Sequence, residues 1–188
     1  METKKAFTKF SAEGNIIGRL LASYAELELS LLHCVNMARD DFDTVYKAMF
    51  RERGELRRIN IADIFGRQAY HELGLGTQFE MALGSVHFCR KVRNQYAHCT
   101  WYDDYSGSLA FVNLEEGAKD SKPVKDFKNL EIRHIDVSTL VLQEQYFQYT
   151  EALLAWVNYE GRRIAGKPSR PPEPAPKQLN QPPLYLQI

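Results

Sequence analysis

The chain has 188 residues, 44% of them hydrophobic and 26% charged, with 24 Lys and Arg balanced by 24 Asp and Glu. That length and composition fit one globular domain able to bury a core without metal or disulfide staples. Zero net charge excludes a protein that coats nucleic acid through overall basicity, but leaves room for a local basic patch that steers RNA.

In chain order, residues 1–10 read as an N-terminal extension, and residues 11–166 as a helical domain. Ile16, Leu20, Tyr24, Leu27, Leu31 and Val35 recur at helical spacing and predict a long helix from Ser11 to about Ala38. Glu26, Ser30 and His33 form a narrow polar row on it, expected to be a satisfied face rather than part of a site. Asp40 and Asp41 are cap candidates for a second helix whose apolar face is Phe42, Val45, Tyr46, Met49 and Phe50. A third helix fits Leu56, Ile59, Ala62, Phe65 and Ala69, and ends at Gly74 and Gly76. Thr77 and Glu80 have capping-box spacing and predict the start of a fourth helix, which runs to about Cys99. Its core stripe is Phe79, Leu83, Val86, Cys89, Val92, Tyr96 and Cys99.

The period then changes from helical to alternating. Trp101 to Tyr105 and Ser108 to Leu114, joined at Ser106-Gly107, predict a β-hairpin. It opens an insertion over residues 101–134 in which Leu130 to Arg133 adds a short strand. Asp103 and Asp104 read as a charged turn. Asp136 or Ser138 caps a last helix with Leu140, Phe147, Leu154 and Val157 on its core side and Trp156 nearby, stopped by Gly166-Lys167-Pro168. Seven of the eight prolines follow, between Pro168 and Pro183. Residues 167–188 therefore read as a disordered Pro-rich tail that cannot bury enough surface to order itself.

Cys34, Cys89 and Cys99 are an odd number with no CxxC spacing, which points to a reducing compartment. No apolar run approaches the ~18–20 residues of a membrane span, and the first ten residues lack a signal-peptide apolar region. The expectation is a cytoplasmic protein with no membrane partner and no cofactor. His87, Cys89, His98 and Cys99 suggest a metal site only superficially. His87 and His98 share a helical face but lie about 16 Å apart along it, too far for one ion.

The sharp signal is Arg90-Lys91-Val92-Arg93-Asn94-Gln95-Tyr96-Ala97-His98. With Val92 at zero, Arg90, Asn94, His98 and Lys91 fall at roughly 160°, 200°, 240° and 260°, opposite the core stripe, while Arg93 lies near 100° at the flank. Asn94 and His98 are an i, i+4 pair. Histidine passes protons near neutral pH, arginine grips phosphate with a planar fork, and an amide can orient the imidazole. Those are the parts needed to cleave RNA without a metal. One histidine supplies one proton role at a time, so two copies of the chain make the chemistry complete. The plain alternative is a solvated helix end, where cations favour the C-terminal dipole.

Arg93-Asn94-x-x-x-His98 near the end of a helix, in a mainly all-α chain, resembles the motif of the HEPN superfamily: Arg, four to six residues, then His, often with a polar residue after the Arg. Ala97-His98 with Trp101 soon after also looks like small bacterial HEPN-like proteins. The resemblance implies a bundle of four to five helices, here carrying a small β-hairpin insertion, that forms a homodimer through the motif helices. It implies a metal-independent endoribonuclease at the dimer cleft, of the kind found in toxin–antitoxin and defence systems, with RNA as substrate and an antitoxin or other protein as partner. Carried onto this chain, the catalytic residues are Arg93, Asn94 and His98, with Arg90 and Lys91 holding the RNA. Where members paired with a nucleotidyltransferase antitoxin often carry Tyr, two residues after the His, this chain has Thr100. The alternative is a non-catalytic HEPN-like module that uses the same face for dimerisation or partner binding.

Overall fold

The computed structural model describes residues 6–119, 126 and 129–186. It is mainly α-helical with one small antiparallel sheet. The elements are α1 (Ala6–Lys9), α2 (Ser11–Arg39), α3 (Phe42–Phe50), α4 (Glu55–Glu72), α5 (Gly76–Ala97), β1 (Cys99–Tyr102), β2 (Leu109–Asn113), α6 (Leu114–Gly117), β3 (Arg133–Ile135) and α7 (Val137–Ile164). The chain divides into two compact units. One comprises residues 1–22, 91–145 and 181–188, the other residues 23–90 and 146–180.

In the second of these units, the stripes read from α2, α4, α5 and α7 are buried: Leu27, Leu31, Val35, Ile59, Ala62, Phe79, Val86, Leu154 and Val157. Helix boundaries follow from local chemistry. Asp40 takes a left-handed conformation (φ 55°) at the end of α2, and the Asp41 carboxylate accepts from the Thr44 N–H to cap α3. The expected capping box at Thr77 does not form. Gly74, at φ 72°, instead lets the Leu75 N–H reach Tyr70 O and its own N–H reach His71 O, a two-bond stop for α4. α5 then starts at Gly76, one residue before Thr77, and Glu80 pairs with Arg67. The same stop recurs at Gly166, where the Lys167 N–H bonds Arg162 O and ends α7.

α3 buries only part of the face predicted for it. Val45 and Met49 are buried, while Phe42 and Tyr46 stay exposed and stack in series, Phe42 on Tyr46 and Tyr46 on Phe50, with ring centroids 5.9 and 5.6 Å apart. Cys34 and Cys89 lie in the apolar interior, where burial pushes both thiols up to about 12.

The other unit holds the sheet, in the order β1-β2-β3, all antiparallel. The hairpin register pairs Cys99 with Asn113 and Trp101 with Phe111, and the added strand runs from Arg133 to Ile135, not from Leu130. Tyr96, Trp101 and Phe111 pack as an aromatic cluster against the end of α5. Within the N-terminal extension, residues 6–10 are packed in this unit. Ala6 and Phe10 are buried, Phe7 packs on Trp101, and Lys9 pairs with Asp103 at 2.7 Å. An apolar i, i+4 pair in a short helix anchors them.

Asp103 and Asp104 fold the hairpin connection through their side chains, each accepting a backbone N–H two residues on. Asp104 also meets the His134 ring at 2.7 Å and so ties the turn to β3. Burial pushes its carboxyl up, but hydrogen bonds from Ser106 and His134 outweigh that and hold it at about 2, below its ordinary 3.8. A depressed carboxyl stabilises the fold above its unfolded value and loses that contribution as pH falls. At pH 7, Asp104→Asn is expected to cost about 2 kcal/mol, and the gap to wild type should narrow as pH drops below about 4. Urea melts of both chains between pH 7 and pH 3 measure it; a constant gap across that range would refute the assignment.

The Pro-rich segment expected to be disordered is described as far as Leu186. In one unit the Trp156 indole N–H donates to Glu173 O at 2.8 Å, and Arg170 lies 4.2 Å over the Tyr159 ring. In the other, residues 183–186 are held by side chains of α5, α7 and β3. These contacts come from side chains of the folded helices and of β3, which composition does not encode.

Candidate functional site at the end of the fifth helix

α5 passes into β1 through a single residue, His98. The helix ends there because the buried stripe is exhausted at Tyr96 and the chain then pairs with β2. The His98 N–H still reaches Asn94 O at 3.3 Å, so the imidazole hangs from the last helical hydrogen bond. This fixes its backbone between a helix and a strand, while the side chain remains 41% exposed.

The hairpin register brings a partner to it. Cys99 pairs with Asn113, the last residue of β2. Asn113 then caps α6, its side-chain oxygen accepting from the N–H groups of Glu115 and Glu116 at 3.1 Å each. That turn delivers Glu115 Oε1 to within 3.2 Å of His98 Nδ1. Among the described residues no hydrogen bond or ion pair reaches His98 Nε2. Glu115 was not expected at the site. Its sequence signal was present as an Asn cap followed, after Leu114, by two glutamates, a helix-start pattern inside the insertion over residues 101–134.

The other motif residues fall as follows. Arg93 Nη1 donates to Asn94 Oδ1 at 3.1 Å, so the flank position predicted from the helical wheel is closed by the arginine's reach. Both side chains are half-buried and Lys91 is exposed. Asn94 therefore touches Arg93 through its amide and His98 through its backbone, and these three with Glu115 form one polar strip. Arg90 departs from its expected role. It belongs to the other unit, is half-buried, and its Nε is buried without a hydrogen-bond partner. Its charge sits beside Tyr24, whose hydroxyl burial drives up, Glu28 and Glu55 push further, and Arg90 pulls back. Lys91 is the exposed cation next to the strip.

Sequence reasoning also missed a part-buried ion pair in that unit. Arg58 Nη1 donates to both oxygens of Glu28 at 2.9 and 2.7 Å, and its Nε donates to Glu52 O. Glu26 and His33, weighed as site members, are exposed on α2. Among the described residues no three His, Cys, Asp or Glu side chains converge as metal ligands, and no helix is long and apolar enough to cross a membrane. Cys99, next to His98, donates its thiol to Gln95 O, and burial pushes it up to about 12, with Glu116 adding and Arg133 opposing. It is held as a thiol and lacks the thiolate character of a nucleophile.

Comparison with known proteins finds no matching family model, no matching curated protein and no matching solved structure.

Proposed function

We propose that the chain is a metal-independent endoribonuclease of the HEPN type, acting as a homodimer whose two motif strips face one RNA. The observation that carries this is the pairing at His98. A carboxylate on Nδ1 favours the tautomer with the proton there and leaves Nε2 as the acceptor. The reading is supported by the mainly α-helical fold, by the motif's place at the end of a long helix off its buried stripe, and by the Arg93–Asn94 bond.

In this scheme His98 Nε2 takes the proton of a ribose 2′-OH. The 2′ oxygen bonds to the adjacent phosphorus and the bond from phosphorus to the 5′ oxygen breaks. The leaving oxygen takes a proton from the imidazolium of the second copy, giving a 2′,3′-cyclic phosphate and a 5′-hydroxyl. Arg93 stabilises the charge on the phosphoryl oxygens, Asn94 orients Arg93, and Lys91 attracts the strand. A role in a toxin–antitoxin or defence system belongs to the same proposal.

The test is incubation of the purified chain with single-stranded RNA in excess EDTA, together with its mass in solution. Cleavage ends bearing cyclic phosphate and a mass of two chains are expected. A monomer that leaves all RNA intact would overturn the proposal. The alternative, a non-catalytic partner-binding module, is favoured by the exposed, stacked rings of Phe42 and Tyr46 on α3, and it predicts intact RNA with the chain still self-associated or partner-bound.

A further inference from the structure

The most unusual polar arrangement in the sheet-bearing unit is not at the motif. Gln143 on α7 is fully buried and Gln95 in the last turn of α5 is 4% exposed. Buried amides need their donors and acceptors satisfied, at a cost of about 1–3 kcal/mol for each group left bare. Gln143 Oε1 accepts from the Tyr96 hydroxyl. Its Nε2 donates to Pro183 O at 2.7 Å and to Leu184 O at 3.3 Å, and Gln95 Nε2 donates to the same Leu184 O at 2.8 Å. Two buried amides from different helices thus read two consecutive backbone carbonyls of the C-terminal segment.

The rest of that segment is held in the same style. β3 is the edge strand of the sheet, and the Leu186 N–H donates to His134 O on its open side at 2.9 Å. The Tyr185 ring lies 4.3 Å under the Arg133 guanidinium, which Glu131 fixes at 3.0 Å and Glu116 from a second side. Main-chain bonds at an open strand edge, with one side chain recognised by a fixed cation, are how folded domains bind extended peptides by strand addition. Residues 183–186 contribute no helix or strand of their own, and Leu184, Tyr185 and Leu186 are only half-buried. Residues 168–182 that lead to them are also without helix or strand. The groove is built by the fold, and the segment lies in it as a ligand would.

We infer that this groove is a peptide-recognition site for a segment of proline–apolar–tyrosine–apolar chemistry that bends at its second and third residues, filled in this chain by residues 183–186 and open to a partner protein's segment of the same chemistry when these leave. Gln95 and Gln143 read the backbone of the incoming segment, β3 adds one strand bond, and Arg133 selects the aromatic ring. Tethering makes the resident segment a strong competitor, because a ligand on a flexible arm acts at an effective concentration near millimolar. The inference is independent of RNA cleavage.

The probe is a labelled synthetic peptide of residues 181–188. It is titrated against the full-length wild type and against a full-length variant carrying Leu184→Gly, Tyr185→Gly and Leu186→Gly. Binding to the variant is expected to be at least tenfold tighter than to wild type, and adding Gln95→Leu to that variant should weaken it threefold or more. Equal affinity for both chains, or no saturable binding to either, would overturn the inference. Hydrogen exchange on the unaltered chain keeps the question decidable if the variant does not fold. The Leu186 amide should be protected alone and lose protection under saturating peptide. An amide that exchanges freely from the start, or stays protected at every peptide concentration, counts against the site.

Discussion

Under the proposed mechanism, replacement of His98 by alanine is expected to lower RNA cleavage by about 10²–10⁴-fold, the usual worth of a positioned general base, while the far-UV spectrum and melting temperature stay at wild-type values. The fold should survive because the imidazole is 41% exposed and its one described side-chain tie is to Glu115, itself 61% exposed. A surface pair of that kind contributes little to stability. Arg93→Ala should cost about 10²–10³-fold by removing the cation at the developing phosphoryl charge. The double variant should be barely worse than the worse single, since the two groups act on one transition state. Glu115→Ala distinguishes positioning from chemistry. Without the carboxylate the imidazole can rotate or take the other tautomer, so kcat should fall about tenfold with KM little changed, and Glu115→Gln, whose carbonyl can accept from Nδ1, should recover most of it. Equal cleavage by wild type and His98→Ala would remove the imidazole from the mechanism.

Much of this site was legible in the sequence, and the illegible part has a common physical cause. Asn94 and His98 are an i, i+4 pair that helical geometry places together, while Arg93, at the flank, meets Asn94 only through the reach of its side chain. Glu115 is seventeen residues beyond His98 and arrives only through the β1–β2 register and the Asn113 cap, neither of which helical periodicity encodes. Arg90 shows the converse failure. The wheel places it opposite the core stripe, but a wheel treats one helix alone, and the Arg90 Nε is buried where the wheel left it open. The long helices α2, α5 and α7 were readable because each repeats its apolar spacing over many turns. The start of α5 was not, because the helix already begins at Gly76 and the Phe79 N–H, one of the donors a Thr77 side chain would have capped, bonds Leu75 O instead. Residues 183–186 were opaque for a third reason. Their hold depends on Gln95 and Gln143, and nothing local distinguishes a glutamine that will be buried from one that will face water.

Tyr70→Ala should destabilise the chain by about 4 kcal/mol, near the upper end for loss of a buried aromatic ring. The ring is fully buried and stacks on Phe79 with centroids 4.4 Å apart and planes 15° apart. Two glycines mark how closely the surroundings fit this pair. A Cβ on Gly66 would come within 2.6 Å of the Phe79 rim, and one on Gly161 would meet Tyr70 Cε1 at 3.0 Å. Helices α4 and α7 have thus surrendered side chains to bring backbone against these rings, and backbone cannot collapse into the space a missing ring leaves. The flexible group in reach is Met37, whose Cε lies 2.6 Å from the same hypothetical Gly161 Cβ, and its movement should trim the cost rather than cancel it. The hydroxyl is a smaller matter. It donates to Cys34 O at 3.0 Å, and burial lifts the phenol well above its ordinary range. Tyr70→Phe loses that one bond and should cost about 1 kcal/mol. In urea melts, Tyr70→Ala should move the midpoint down by about 2 M at unchanged slope, and Tyr70→Phe by about a quarter of that. If the two variants fall together, the hydroxyl rather than the ring stack carries the stability, and the close packing at Gly66 and Gly161 has been given the wrong weight.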